Sequence, residues 1–105
     1  MYLVTGKIIK QNLEDSFYTI ADPITTSEIR THWAINYKES GKCMLITVNI
    51  SDNQLELETV QAWQDQASYE EYKNDPVLIA GLFTPRELYW QEHGIVRTII
   101  KEETV

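Results

Sequence analysis

The sequence predicts an α+β fold in which an antiparallel sheet carries helices on one face. The first observation is the order of the predicted elements: strand, helix, strand, strand, helix, strand. The second is the stretch 54–72, which alternates with a period of two up to Trp63 and then has helical spacing at Tyr69 and Tyr72. The third is a turn at 51–53 that joins two strands as a hairpin. This order is the split βαβ pattern of a ferredoxin-like sandwich.

The first part of the chain predicts a strand, an irregular stretch and a helix. Residues 2–10 alternate as a strand does, and Tyr2, Val4 and Ile8 share one face. Residues 11–22 predict a turn at 12–15 and a short strand at 17–20 that returns against the first. A capping-box spacing at 25–28 predicts a helix from Thr25. The apolar stripe of this helix is Ile29, Trp33 and Tyr37. Gly41 is its predicted end.

The hairpin is predicted from two alternating runs, Cys43–Ile50 and 54–63. In the second run Leu57 and Trp63 point to the same side as Thr59 and Gln61. Strict alternation divides the first run into two faces, Met44, Ile46, Val48 and Ile50 against Cys43, Leu45, Thr47 and Asn49.

The last part of the chain predicts helices followed by a strand. Asp65 is the predicted N-cap of the helix after Trp63. The run 77–83 is apolar nearly all round, so we expect it to be buried. Thr84 precedes a proline and then a glutamate, which predicts a helix start that ends near His93. Residues 95–102 complete the sheet.

Composition and charge restrict the functional class. A length of 105 residues fits one domain, residues 1–105. The net charge of −7 argues against nucleic acid or an anionic membrane as the main partner. Cys43 is the only cysteine and neither histidine has an acidic cluster at ligand spacing, so we expect no metal site. We find neither a membrane span nor a signal peptide and expect a cytoplasmic protein.

The sheet face without helices must be exposed to solvent or covered by a partner. Trp63 and the strand isoleucines are too apolar for a wet face, so we expect a homodimer that packs sheet to sheet.

Three parts of the chain share a pattern with known proteins: residues 39–45 (E-S-G-K-C-M-L), the hairpin, and residues 57–72. The sharpest part is E-x-x-x-x-W-x-D-x-x-S-Y-x-x-Y, which begins at Glu58. Together they resemble the antibiotic biosynthesis monooxygenase (ABM) domain family. The resemblance implies a dimeric α+β barrel. It supports fold better than function, because the motif marks a strand end, a helix cap and an aromatic pair.

Some members of that family are cofactor-free oxygenases. They have an asparagine on a strand, a tryptophan four residues later and an aromatic hydroxyl six residues beyond the tryptophan. Trp63 and Tyr69 match that spacing, and Thr59 stands where the asparagine would be. Members that degrade haem carry a histidine on the second helix, where this chain has Tyr72. The resemblance therefore implies oxygenation of an aromatic or quinol-type compound without a cofactor, and it argues against haem breakdown.

The candidate catalytic residues are Trp63, Tyr69 and His93. Trp63 would stack on a planar substrate, Tyr69 and Tyr72 would orient it, and His93 or Arg86 would handle charge. The candidate substrate-binding residues are Thr59, Gln61, Tyr72, Arg86 and Tyr89. Arg86, Tyr89 and His93 stand at positions i, i+3 and i+7, so one face of a helix can hold all three.

Each candidate also has a purely structural explanation. Trp63 could be a core anchor, and the tyrosines could fill the interface between helix and sheet. His93 precedes Gly94, a position where it complements the helix dipole. The alternative function is a non-catalytic dimeric binding or regulatory domain of the same fold.

Overall fold

The sheet has four antiparallel strands in the computed structural model, which describes the backbone of residues 1–18 and 23–105 and the side chains of 1–18 and 26–105. The strands are β1 (Tyr2–Ile9), β2 (Cys43–Ile50), β3 (Glu56–Trp63) and β4 (Val96–Thr104). Their spatial order is β2-β3-β1-β4, and β2 pairs with β3 as the predicted hairpin. The helices lie on one face of this sheet, which confirms the ferredoxin-like α+β class.

The described helices begin and end at residues that the sequence largely indicates. They are α1 (Pro23–Trp33), α2 (Gln66–Lys73), α3 (Pro76–Leu78) and α4 (Thr84–His93). Two π-helical segments, Ala34–Lys38 and Ile79–Phe83, extend α1 and join α3 to α4. Among the described helices, none has both the length and the apolarity needed to cross a membrane.

Helix starts follow the predictions only in part. The Asp65 carboxylate caps α2, because it accepts a hydrogen bond from the Ser68 amide at 2.8 Å. The first helix begins at Pro23, earlier than predicted, and the predicted cap at Thr25 lies outside the described side chains. Thr84 does not act as a cap, since the preceding residue Phe83 is already helical and α4 continues from a π-helical segment.

The predicted return strand at 17–20 is wrong at Phe17 and Tyr18, which lie in bends. The physical reason is that β1 has no free edge: β3 pairs with one side of it and β4 with the other. The remaining residues of that prediction, 19 and 20, lie outside the described range. The turn at 12–15 is confirmed by a hydrogen bond from the Asp15 amide to the Asn12 carbonyl.

A β-bulge changes the face that each end of β2 presents. Cys43 pairs with Trp63, whereas Leu45 pairs with Ala62, so Met44 is the extra residue. Cys43 therefore lies on the helix side and is 6% exposed, while Met44 is 59% exposed. The predicted face is therefore wrong for Cys43 and right for the residues from Leu45 onward.

The core lies between the sheet and the helices in two clusters. One is built on Trp63, Tyr37 and Tyr69, and the other on Leu57 and Trp90. The expectation that 77–83 is buried is right for Leu78, which is fully buried, and wrong for its exposed neighbours Val77 and Ile79.

The sheet face without helices carries only some of the apolar residues predicted for it, among them Ile9. Trp63 and Ile46 lie on the helix side, because both share the face of Gln61, so they contribute nothing to the open face. The strand alternation places on the open face Leu3, Ile9, Leu45, Val60, Ala62 and Val96. These residues are the apolar surface that a partner would cover.

Candidate functional site

A cavity of about 620 Å³ lies between the helices and the sheet and is called the main cavity below. This volume is typical of sites for small organic ligands, which are roughly 300–1,000 Å³. Its apolar wall contains Trp33, Trp90, Ile46 and Val48. Its polar and charged groups are Tyr18, Thr26, Arg30, Thr59, Gln61, Tyr72, Arg86 and Arg97. The cavity therefore combines flat aromatic walls with a small number of polar groups.

The helices supply the aromatic side of the main cavity, and β2 with β3 supply the floor. Val48 and Thr59 are direct neighbours across the β2–β3 ladder, as are Ile46 and Gln61, and all four line the cavity. On the helix side, Gly81 lets the π-helical segment approach α1 closely. The hairpin register thus decides which side chains a ligand meets.

Arg86 reaches into the main cavity from α4 and is surrounded by aromatic rings. Its guanidinium carbon lies 5.0 Å from the ring centre of Trp90, 5.4 Å from that of Phe83 and 5.7 Å from that of Tyr18. Burial lowers the pKa of the Arg86 guanidinium, which still carries its charge at neutral pH. The Arg86 Nε is buried and has no hydrogen-bond partner among the described residues.

Gln61 is oriented by Trp63. The indole Nε1 of Trp63 donates a hydrogen bond to the Gln61 Oε1 at 3.2 Å, which leaves the amide NH₂ of Gln61 free to donate. Trp63 itself is 0% exposed and is outside the lining of the main cavity. The arrangement can therefore present an amide donor two residues after Thr59, the position that the resemblance to the ABM family aligns with an asparagine.

Tyr69 and Tyr72 pack on Trp63, with ring centres 5.7 and 4.8 Å from the indole. Tyr72 lines the main cavity, whereas Tyr69 lines a smaller neighbouring cavity of about 240 Å³. Burial, followed by the charge of Glu102, raises the pKa of Tyr69 to about 12. Burial also raises the pKa of Tyr72, although Arg86 and Arg97 act in the opposite direction. Both phenols therefore stay protonated at neutral pH and can donate hydrogen bonds.

Tyr89 and His93 lie outside the lining of both cavities. Tyr89 donates a hydrogen bond to the Ser16 carbonyl at 2.8 Å, and the His93 Nδ1 lies 3.0 Å from the Asp15 carboxylate. Their rings contact each other at 4.3 Å between centres. Of the three residues with the spacing of one helix face, the structure brings Arg86 to the cavity and places the other two against the 11–18 loop.

The sequence patterns do not single out several of the lining residues as site candidates: Tyr18, Thr26, Arg30, Trp33, Trp90 and Arg97. Arg97 was in principle detectable, because its alternation with Ile99 places it on the helix side of β4. The others depend on how the helices sit over the sheet, which no local pattern specifies.

Comparison with known proteins gives matches in structure only. Neither a protein-family model nor a curated protein matches the sequence. One similar structure is SnoaB, a cofactor-independent oxygenase from Streptomyces nogalater, at 10% identity and a TM-score of 0.58 over 99% of this chain and 91% of that one. A candidate antibiotic biosynthesis monooxygenase from Deinococcus radiodurans has 12% identity and a TM-score of 0.57 over 100% and 92% of the two chains.

A third similar structure is a dimeric ferredoxin-like protein from an uncultured marine organism. It has 6% identity and a TM-score of 0.59 over 100% of this chain and 94% of that chain. At these identities the matches establish the fold, which is that of ABM-type and dimeric ferredoxin-like proteins. The resemblance drawn from the 39–72 region is thus confirmed at the level of fold.

Proposed function

We propose that this protein binds an aromatic or quinol-type compound in the main cavity and oxygenates it without a metal or flavin. The observation that carries the proposal is the cavity itself, about 620 Å³ in volume and walled by Trp33, Tyr72 and Trp90. Flat aromatic side chains favour a flat ligand, because stacking adds about 0.5–1.5 kcal/mol beyond burial. The fold shared with a cofactor-independent oxygenase supports the reaction class.

Three polar side chains are proposed to orient the ring. The Gln61 amide donates to a ring oxygen and takes the place of the missing asparagine, while Thr59 lies beside it on β3. The Tyr72 phenol donates to a second oxygen, a role that suits a phenol with a raised pKa. Trp63 and Tyr69 act through Tyr72 by packing on it, and His93 stabilises the 11–18 loop.

The proposed reaction balances with O₂ as the only co-reactant. A methylene carbon between aromatic rings, as in anthrone, loses both hydrogens and gains one oxygen atom, and the other oxygen atom leaves as water. The substrate provides all the electrons, so no external reductant is required. Loss of the first proton gives a delocalised anion, which the positive charge of Arg86 and Arg97 favours.

Oxygen uptake with anthrone and 1,4-naphthoquinol tests the proposal. Tyr72→Phe and Gln61→Leu each remove one donor, and we expect each to lower uptake by about tenfold or more. Tyr89→Phe is the matched control, since it removes a phenol that bonds to Ser16 outside the cavity. Equal activity in Tyr72→Phe and wild type, or no uptake with any such compound, contradicts the oxygenase proposal.

A second candidate function is a non-catalytic binding domain that uses the same cavity. The observation that favours it is the complete burial of Trp63, the tryptophan of the oxygenase pattern, outside the cavity lining. Binding of these compounds to wild-type protein without oxygen consumption would decide for this function.

We also propose a homodimer that packs sheet to sheet. Its support is the open face, where Leu45 and Val96 are exposed and Leu3 and Val60 are partly exposed. A neighbour of the same fold is a dimeric ferredoxin-like protein. Packing two such faces together would remove this apolar surface from water.

A further inference from the structure

The charged side chains around the main cavity are positive, whereas the whole chain is negative. The sequence has 16 acidic residues and a net charge of −7, yet all three of its arginines, Arg30, Arg86 and Arg97, line this one cavity. Among the described lining residues none is an aspartate or glutamate. None of the three arginines forms an ion pair with a described residue. The cavity is therefore a locally positive site in an acidic protein.

Unsatisfied hydrogen-bonding atoms mark the same place. In the described part of the chain, two buried side-chain polar atoms have no hydrogen-bond partner, the Arg86 Nε and the Thr26 Oγ1. Both residues line the main cavity. Buried polar atoms are rarely left unpaired, because each costs roughly 1–3 kcal/mol. Their coincidence in one cavity points to a ligand that accepts hydrogen bonds from both.

The arrangement of the guanidinium groups indicates the charge of that ligand. Burial lowers the pKa of Arg86, and the nearby positive charge of Arg97 acts in the same direction. Two neighbouring cations without an anion between them are unfavourable in a partly buried cavity. A carboxylate offsets that repulsion, and an arginine can bind it through two parallel hydrogen bonds.

We propose that the natural ligand of the main cavity is a ring compound that carries a carboxylate, held by Arg86 with Arg97 and Arg30 beside it. This inference rests on the proposed function, because it names the substrate class of the same cavity. The aromatic walls bind the ring, and the arginines select the acid over a neutral compound of the same shape. Three arginines line the cavity, whereas a delocalised ring anion carries one negative charge. A carboxylate on the same compound adds a second negative charge.

Calorimetric titration with 2-naphthoate and 2-naphthamide tests the inference, since the two compounds differ little in shape and differ in charge. We expect wild-type protein to bind the acid about tenfold or more tightly than the amide. Arg86→Gln should abolish this preference while leaving amide binding in place. Arg97→Gln, at a more exposed position, should reduce the preference and serves as the second variant if Arg86→Gln is unstable.

Lys101→Gln is the matched control, because it removes one positive charge from the same strand as Arg97 but on the open face, where Lys101 pairs with Glu103. The preference should be unchanged in this variant. Equal affinity of wild-type protein for the two compounds overturns the carboxylate inference and leaves the proposed ring-binding function standing. If neither compound binds, the carboxylate inference also fails, and oxygen uptake with anthrone decides the proposed function separately.

Discussion

Asp75 holds together two segments that are distant in sequence. One carboxylate oxygen accepts hydrogen bonds from the amides of Val77 and Leu78, at 2.9 and 3.4 Å, and so caps α3. The other accepts from the His32 Nε2 at 2.7 Å and from the Tyr37 hydroxyl at 2.5 Å. Burial opposes ionisation of Asp75, but these hydrogen bonds outweigh it and lower the pKa of its carboxyl group.

Asp75→Asn should therefore destabilise the fold by about 1–3 kcal/mol, because a neutral amide replaces an ionised acceptor of several hydrogen bonds. Urea unfolding at neutral pH measures the loss. Asp52→Asn is the control, since Asp52 is exposed in a turn. Equal stability of Asp75→Asn and wild type would show that the network contributes nothing net.

The same residue predicts a dependence on pH with a defined sign. Because the folded pKa of Asp75 is lowered, its stabilisation is present above the ordinary aspartate value of about 3.9 and is lost as pH falls through the folded pKa. The difference in unfolding free energy between wild type and Asp75→Asn should shrink as the pH is lowered through this range. A difference that grows on acidification would contradict the assignment.

At the scale of elements, the contact between α1 and the π-helical segment Ile79–Phe83 shapes the main cavity. A Cβ built on Gly81 would lie 2.3 Å from the Ile29 Cδ1 and 2.8 Å from its Cγ1. Real carbon atoms do not approach so closely, so a larger residue must push the two elements apart or turn Ile29 aside. Both Gly81 and Ile29 line the main cavity.

Gly81→Ala should destabilise the protein by about 1–3 kcal/mol through overpacking and should also weaken ligand binding. Thermal unfolding and naphthoate titration measure the two effects. The double variant Gly81→Ala with Ile29→Val removes the clashing Cδ1, so its loss of stability should be smaller than the sum of the single losses. Strict additivity of the two substitutions would contradict this account of the contact.

At the scale of the whole molecule, the sheet-to-sheet dimer gives a separate prediction. Val60→Glu places a charge on the open face of a central strand and should convert a dimer to a monomer. Val77→Glu is the control, because Val77 is exposed on α3 away from that face. Sedimentation velocity at micromolar concentration measures both. A wild-type protein that sediments as a monomer contradicts the dimer.

The sequence specifies the fold well because the evidence for it is local. Alternation defines the strands, Asp65 caps α2, and Gly94 ends α4 in the left-handed conformation. The bulge at Met44 escaped prediction, since no glycine or proline marks it and strict alternation continues through it. A single inserted residue there moves Cys43 to the opposite face.

The candidate site is less predictable, because it depends on long-range packing. The sequence predicts four residues that line the main cavity, Thr59, Gln61, Tyr72 and Arg86. His93 and Tyr89 share the helix of Arg86, but the 11–18 loop binds them instead. Arg30 and Arg97 come from the first helix and the last strand, and only the folded chain brings them to the same cavity as Arg86.

The most direct test of the central claim is a map of the ligand on the protein by methyl chemical-shift changes during titration with 2-naphthoate. We expect changes at Ile46 and Val48, whose side chains line the main cavity. We expect no change at Leu45 and Val96 on the open face. Changes confined to the open face, or none at saturating ligand, would contradict the claim that the main cavity is the functional site.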